Sequence, residues 1–138
     1  MSVPFSGCKS RSNGLISAII KQLKTINYKP AKKITVQFDP FHERATEMRK
    51  LMFYLTGPKY ANTNPACLLK TNIVCDRSEP LVTVDLVSGE KVVMKCNNLT
   101  LVEVLQLYNK HVTSLVPREQ EKDEDLKSKL KSKKGKKR

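Results

Sequence analysis

The chain has no tryptophan, and aromatic residues make up only 6% of it. Proteins that read single-stranded RNA stack its bases on aromatic side chains, so the composition favours backbone contact over base reading in any nucleic-acid contact. Histidine is almost as scarce, with only His42 and His111, and neither lies near a cysteine in sequence. The four cysteines, Cys8, Cys67, Cys75 and Cys96, include no pair at two-residue spacing. That pattern argues against a zinc site and for buried, reduced thiols. No apolar run reaches the ~18 residues of a membrane-spanning helix. A Gly-rich phosphate loop, a Ser-His-Asp pattern and a His-Glu-x-x-His motif are all missing. The sequence therefore suggests no catalytic residue, no cofactor, no metal and no small-molecule substrate.

Acidic residues are missing from residues 1–38, which carry seven basic ones. Residues 39–116 hold nine basic and eight acidic residues, and residues 117–138 hold ten and five. The net charge of +13 is therefore carried by the two ends of a near-neutral middle. Basic ends attract polyanions. Hydrophobic content is 39%, below the roughly 45–50% of ordinary globular chains, so part of the chain is expected outside the core. Three segments follow: a basic N-terminal segment over 1–32, a folded domain over 33–116, and a charged, lysine-rich, disordered tail over 117–138.

The middle is organised around Ile34–Leu55. Ile34, Val36 and Phe38 alternate with Thr35 and Gln37, the period of a strand with one apolar face. Asp39 and Pro40 suit the cap and first position of a helix. Phe41, Ala45, Met48, Met52 and Leu55 then fall on one helix face. Gly57 and Pro58 end it, and Thr56–Ala66 reads as a loop. Cys67–Cys75 reads as a second strand, parallel to the first after the crossover helix. Its Leu69, Ile73 and Cys75 lie on one side and Lys70 and Asn72 on the other. Leu81–Val87 and Lys91–Cys96 read as a hairpin around Ser88-Gly89-Glu90. Thr100 and Glu103 form a capping box before a last helix with the stripe Leu101, Leu105, Tyr108, Val112 and Leu115. Upstream, Tyr28–Lys33 reads as a basic linker. Leu15–Ile26 is an amphipathic helix in an acid-free, serine- and lysine-containing N-terminus. It resembles a mitochondrial import signal, and it equally suits a helix that packs on the domain.

The order β-α-β, turn, β-β-α resembles a thioredoxin-like plan without the helix between its second and third strands. The expected fold is α/β, with a mixed four-stranded sheet of order 2-1-3-4 and helices mainly on one face. A meander of the last three strands is the alternative. The residues of opposite parity, Thr35, Gln37, Lys70, Asn72, Thr83, Asp85 and Lys95, are mostly polar. They predict an open or partner-covered sheet face, with the Leu15–Ile26 helix as the internal candidate for its cover.

No thiol stands at the start of the first domain helix, where a thioredoxin-like oxidoreductase needs one. Asp39 occupies that region, with His42 as a surface or capping side chain. Glu43 and Glu47 beside Arg44 and Lys50 read as a solvated helix face. The positive signal is electrostatic. Lys29, Lys32 and Lys33 on one side, and Lys127, Lys129, Lys131, Lys133, Lys134, Lys136, Lys137 and Arg138 on the other, are the residues expected to contact phosphates without reading bases.

Two stretches carry a family resemblance: ITVQFDPF, and TNIVCDRSEPLVTVDLVSGEKVVMKCNNLTLVEVLQLYNKHV. They resemble the mitochondrial large-subunit ribosomal protein 53 family over about residues 30–113. The most telling residues are Val36, Gln37, Phe38, Pro40 and Phe41, the Ser78-Glu79-Pro80 turn, and Leu99 and Thr100. The resemblance implies a non-catalytic thioredoxin-like domain in the mitochondrial matrix, built into the large ribosomal subunit. Its implied partners are large-subunit rRNA and neighbouring ribosomal proteins near the stalk base, with no membrane. Some family members carry cysteine where this chain has Asp39, a departure that argues further against redox chemistry. A non-catalytic accessory subunit of another mitochondrial assembly is the alternative.

Overall fold

The computed structural model describes residues 14–116, so Cys8 and the basic residues from Lys127 to Arg138 lie outside the described region. The elements run α1 (Leu15–Thr25), β1 (Ala31–Phe38), α2 (Ala45–Leu55), α3 (Pro58–Ala61), β2 (Leu68–Ile73), β3 (Leu81–Leu86), β4 (Lys91–Lys95) and α4 (Leu101–His111), with a closing 3-10 turn at Thr113–Leu115. The strands form one mixed sheet of order β2-β1-β3-β4. β1 pairs parallel with β2 and antiparallel with β3, so the expected order holds and the meander does not.

Strand alternation sorts the side chains into two layers. Ile34, Val36 and Phe38 of β1, Val82, Val84 and Leu86 of β3, and Met94 of β4 are buried. They join one core with Ala45, Met48, Leu51 and Leu55 of α2 and Leu101, Val104, Leu105 and Tyr108 of α4. Burying an aliphatic side chain is worth about 1.5–3 kcal/mol, so this one-sided core is the main stabilising element of the fold.

α1 belongs to the same core through Ile19 and Leu23, with Ile26 just beyond it. It seats against α4, where the Asn109 side-chain amide donates to the Gln22 carbonyl (3.0 Å) and to Thr25 Oγ1 (2.8 Å). α1 therefore widens the helix layer and leaves the far sheet face open. The segment expected as a linker is also anchored. The Tyr28 hydroxyl donates to the Leu55 carbonyl at 3.0 Å, and its ring meets Tyr108 edge-on with centroids 6.2 Å apart. The Asn64 side chain donates to the carbonyls of Tyr28 and Ala31, each at 3.0 Å. β1 consequently starts at Ala31, three residues before the alternating run.

Three further boundaries differ from the sequence reading. α2 starts at Ala45 rather than at Pro40, and Phe41 is 88% exposed. The cause is Asp39, a buried carboxylate that accepts from the Phe41 N–H (2.8 Å) and from the Arg77 N–H (2.9 Å) in the turn before β3. Its oxygens serve that turn, so residues 40–44 form turns instead of a helical start. Within the 56–66 loop, Pro58 opens the short α3. A Cβ on Gly57 would sit 3.1 Å from the Tyr54 carbonyl oxygen, so the close approach favours glycine there. At the other end of the chain α4 stops at His111, which leaves Leu115 52% exposed. The capping box of α4 forms as expected, and the Glu103 carboxylate accepts from the Thr100 N–H and hydroxyl, both at 2.8 Å. The hairpin turn also forms, with Gly89 at φ +93°.

Candidate nucleic-acid interface

The open face is defined by strand register. From β2 to β4, its three rows read Leu68–Lys33–Asp85–Lys91, Lys70–Thr35–Thr83–Val93 and Asn72–Gln37–Leu81–Lys95. None of these twelve residues is buried, and no helix covers them among the described residues. With strands about 4.8 Å apart and a rise of about 3.4 Å per residue, the platform measures roughly 14 Å by 14 Å between its outer residues.

Nine of the twelve side chains are polar or charged, and Leu68, Leu81 and Val93 are apolar, with Leu68 and Val93 exposed. Lys33, Lys70, Lys91 and Lys95 stand against one acid, Asp85. Lys91 Nζ lies 3.8 Å from Asp85 Oδ1, an ion pair without a hydrogen bond, and that oxygen has no hydrogen-bond partner. A pair of this kind at a surface contributes little to stability. The Asn72 amide donates to Gln37 Oε1 at 3.0 Å, a cross-strand bond that fixes both side chains on the face. Thr35 and Thr83 supply hydroxyls at the centre. No aromatic side chain occurs on the platform, so it offers hydrogen-bond donors and positive charge without a stacking surface.

The lysines singled out from the sequence separate. Lys33 lies on the platform, between Leu68 and Asp85. Lys32 is the additional residue at a register shift between Ala31 and Lys33, and it is exposed. Lys29 sits in the turn before β1, its N–H bonded to Asn27 Oδ1 at 2.9 Å. Lys70, Lys91 and Lys95 were not among the expected contact residues. The parity of Lys70 and Lys95 signals their face, but gathering them with Lys33 and Lys91 requires the pairing register.

The other chemically suggestive residues have local duties. Asp39 is the buried turn clamp described above. His42 Nδ1 accepts from the Arg44 N–H at 3.1 Å, a local cap. Glu47 does more than face solvent, because it pairs with Lys50 (2.9 Å) and accepts from the Leu101 N–H (3.2 Å), tying α2 to the start of α4. Cys67, Cys75 and Cys96 are free thiols, and they are not uniformly buried. Cys96 is buried, and desolvation pushes its pKa up to about 11. Burial also raises the half-buried Cys67, whereas Cys75 is exposed. A raised thiol pKa is the opposite of what a nucleophile needs. Burial likewise lifts the Tyr28 and Tyr108 phenols well above their ordinary range. A shallow apolar groove of about 500 Å³ lies at the end of α2, lined by Phe53, Tyr54, Thr56, Gly57, Pro58 and Tyr60.

Residues 38–89 match the model of the family described as 39S ribosomal protein L53/MRP-L53. The matched stretch runs from the last residue of β1 through α2, α3, β2 and β3 into the hairpin turn.

Proposed function

We propose that the chain is a member of the mitochondrial large-subunit ribosomal protein L53 family, whose model matches residues 38–89, and that it is a non-catalytic structural component of the mitochondrial large ribosomal subunit, resident in the matrix. The observation that carries this reading is the family match over residues 38–89. The geometry is in keeping with it. The single helix layer and the crossover between parallel strands support the thioredoxin-like plan, and the region of the thioredoxin thiol holds a carboxylate committed to backbone N–H groups.

In this reading the domain supports mitochondrial translation by holding rRNA backbone and neighbouring proteins in place, as a protein near the stalk base would. Lys29, Lys32 and Lys33 contact phosphates beside the domain. Lys127, Lys129, Lys131, Lys133, Lys134, Lys136, Lys137 and Arg138 extend that contact through the C-terminal segment. Affinity of this kind is salt-dependent and insensitive to base sequence.

Sedimentation of a mitochondrial lysate in magnesium, with and without RNase, tests the assignment. Co-migration with the large subunit, abolished by RNase treatment, is the expected result. Migration with an RNase-resistant complex would instead identify an accessory subunit of another assembly. Recovery only at the top of the gradient would contradict a structural role.

A further inference from the structure

We infer that the open sheet face, centred on Thr35 and Thr83 and carrying Lys33, Lys70, Lys91 and Lys95, is a docking platform for the sugar-phosphate backbone of a double-helical RNA segment. The inference rests on the ribosomal reading and adds a surface that the basic ends do not include, apart from Lys33.

Charge complementarity names the partner. A near-neutral domain places four lysines and one acid on a single face. The acid is flanked by Lys33 on one strand and Lys91 on the other, so the surplus around it stays positive. Phosphates carry the matching charge at high density. The hydroxyls of Thr35 and Thr83 and the amides of Gln37 and Asn72 are donors suited to phosphate oxygens and 2′-hydroxyls. The wide, shallow minor groove of an A-form helix presents both groups to a flat surface. Without aromatic residues the face has nothing on which to stack an unpaired base, which favours a helix over a single strand.

A competing account of the same lysines is protection of sheet edges, since charged residues on outer strands deter pairing with other chains. That account suits Lys70 on β2 and Lys91 and Lys95 on β4. It does not reach Lys33, which sits on the interior strand β1 with partners on both sides. Nor does it explain why all four share one face.

The test uses the full chain and a defined probe, a 30-base-pair RNA duplex, with binding measured between 50 and 200 mM KCl. One variant combines Lys33→Gln, Lys70→Gln, Lys91→Gln and Lys95→Gln. A control of equal charge change combines Lys24→Gln, Arg49→Gln, Lys59→Gln and Lys110→Gln on the helix side, where all four residues are exposed. Every phosphate that the protein ceases to neutralise lowers the log–log salt slope by about 0.9. The slope of the platform variant is therefore expected to fall by about 3.6, and that of the control by well under 1. Should the fourfold variant fail to melt cooperatively, the outer-strand pair Lys91→Gln with Lys95→Gln is expected to lower the slope by about 2. Equal slope changes in the platform variant and the control would overturn the inference, as would no change in either. Platform-dependent binding that is tighter to phosphatidylserine vesicles than to the duplex would also overturn it. Because the duplex measurement needs no ribosome, its failure is distinct from failure of the sedimentation test.

Discussion

The two faces of the sheet are made by the same strands, often by adjacent residues, yet they differ in almost every physical respect. One face is apolar, close-packed and covered by α1, α2 and α4. The other is mostly polar, carries four lysines, and is uncovered among the described residues. A strand with both faces buried reads as a continuous apolar run, whereas strict alternation marks a sheet with one wet side. β3 alternates throughout, and β1 alternates from Lys33 onward, past its register shift. The separation of duties follows from it. Stability resides in the even-numbered residues of β1, β3 and β4 and in the helices above them, and recognition is left to the odd-numbered ones. Thr83 contributes little to holding the domain together, and Val82 and Val84 contribute little to what the surface displays.

Neighbouring substitutions on β1 sharpen this contrast most. Ile34→Ala removes a fully buried side chain and should destabilise the protein by about 2–5 kcal/mol, whereas Thr35→Ala next to it should stay within about 0.5 kcal/mol. Urea unfolding of both variants measures the difference, and comparable destabilisation would break the division between faces. A somewhat smaller effect, about 2–3 kcal/mol, is expected for Leu23→Ala in α1, where the site can relax toward the helix surface. It would place α1 in the stabilising layer of the mature protein. An unchanged midpoint would instead make α1 a dispensable leader.

The smallest effect concerns the start of α4. Hydrogen bonds from the Thr100 N–H and hydroxyl hold the Glu103 carboxyl below its usual pKa. A carboxylate with a depressed folded-state pKa stabilises the fold above its unfolded value, near 4.3, and that contribution disappears as pH falls through the folded value. Glu103→Gln should therefore flatten the acid limb of a stability–pH curve recorded from pH 6 to pH 3. A curve parallel to wild type would show that the cap does not respond to pH.

Much of the covered face was legible in the sequence, because local pattern determines it. Period-2 alternation marked β1 and β3, and the Thr100–Glu103 box marked the start of α4. The misread positions are those where a distant partner overrides the local signal. Asp39 has the right chemistry for a helix cap, but an N–H from Arg77 claims its carboxylate, so α2 begins later. The segment 28–33 has the composition of a linker, but Asn64, Leu55 and Tyr108 hold it against the core. Leu115 continues the helical stripe on paper, but the helix has already ended at His111. The docking face was half legible. Its polarity follows from parity, whereas the convergence of Lys33, Lys70, Lys91 and Lys95 exists only once parallel and antiparallel registers are combined. The thiols were misjudged for a related reason, since Cys75 falls just past the end of β2 and is exposed.

The central claim, that one face is for folding and the other for docking, is tested most directly by a label at the platform's centre. Thr83→Cys, in a Cys75→Ser background, would be exposed to a maleimide in the free protein and in purified large subunits, with modification at residue 83 read by peptide mass spectrometry. Rapid labelling of the free protein, protection in the subunit and recovery of labelling after RNase treatment are predicted. Equal labelling of the free and assembled protein would contradict the account, because the face would then be open to solvent in the very assembly it is meant to bind.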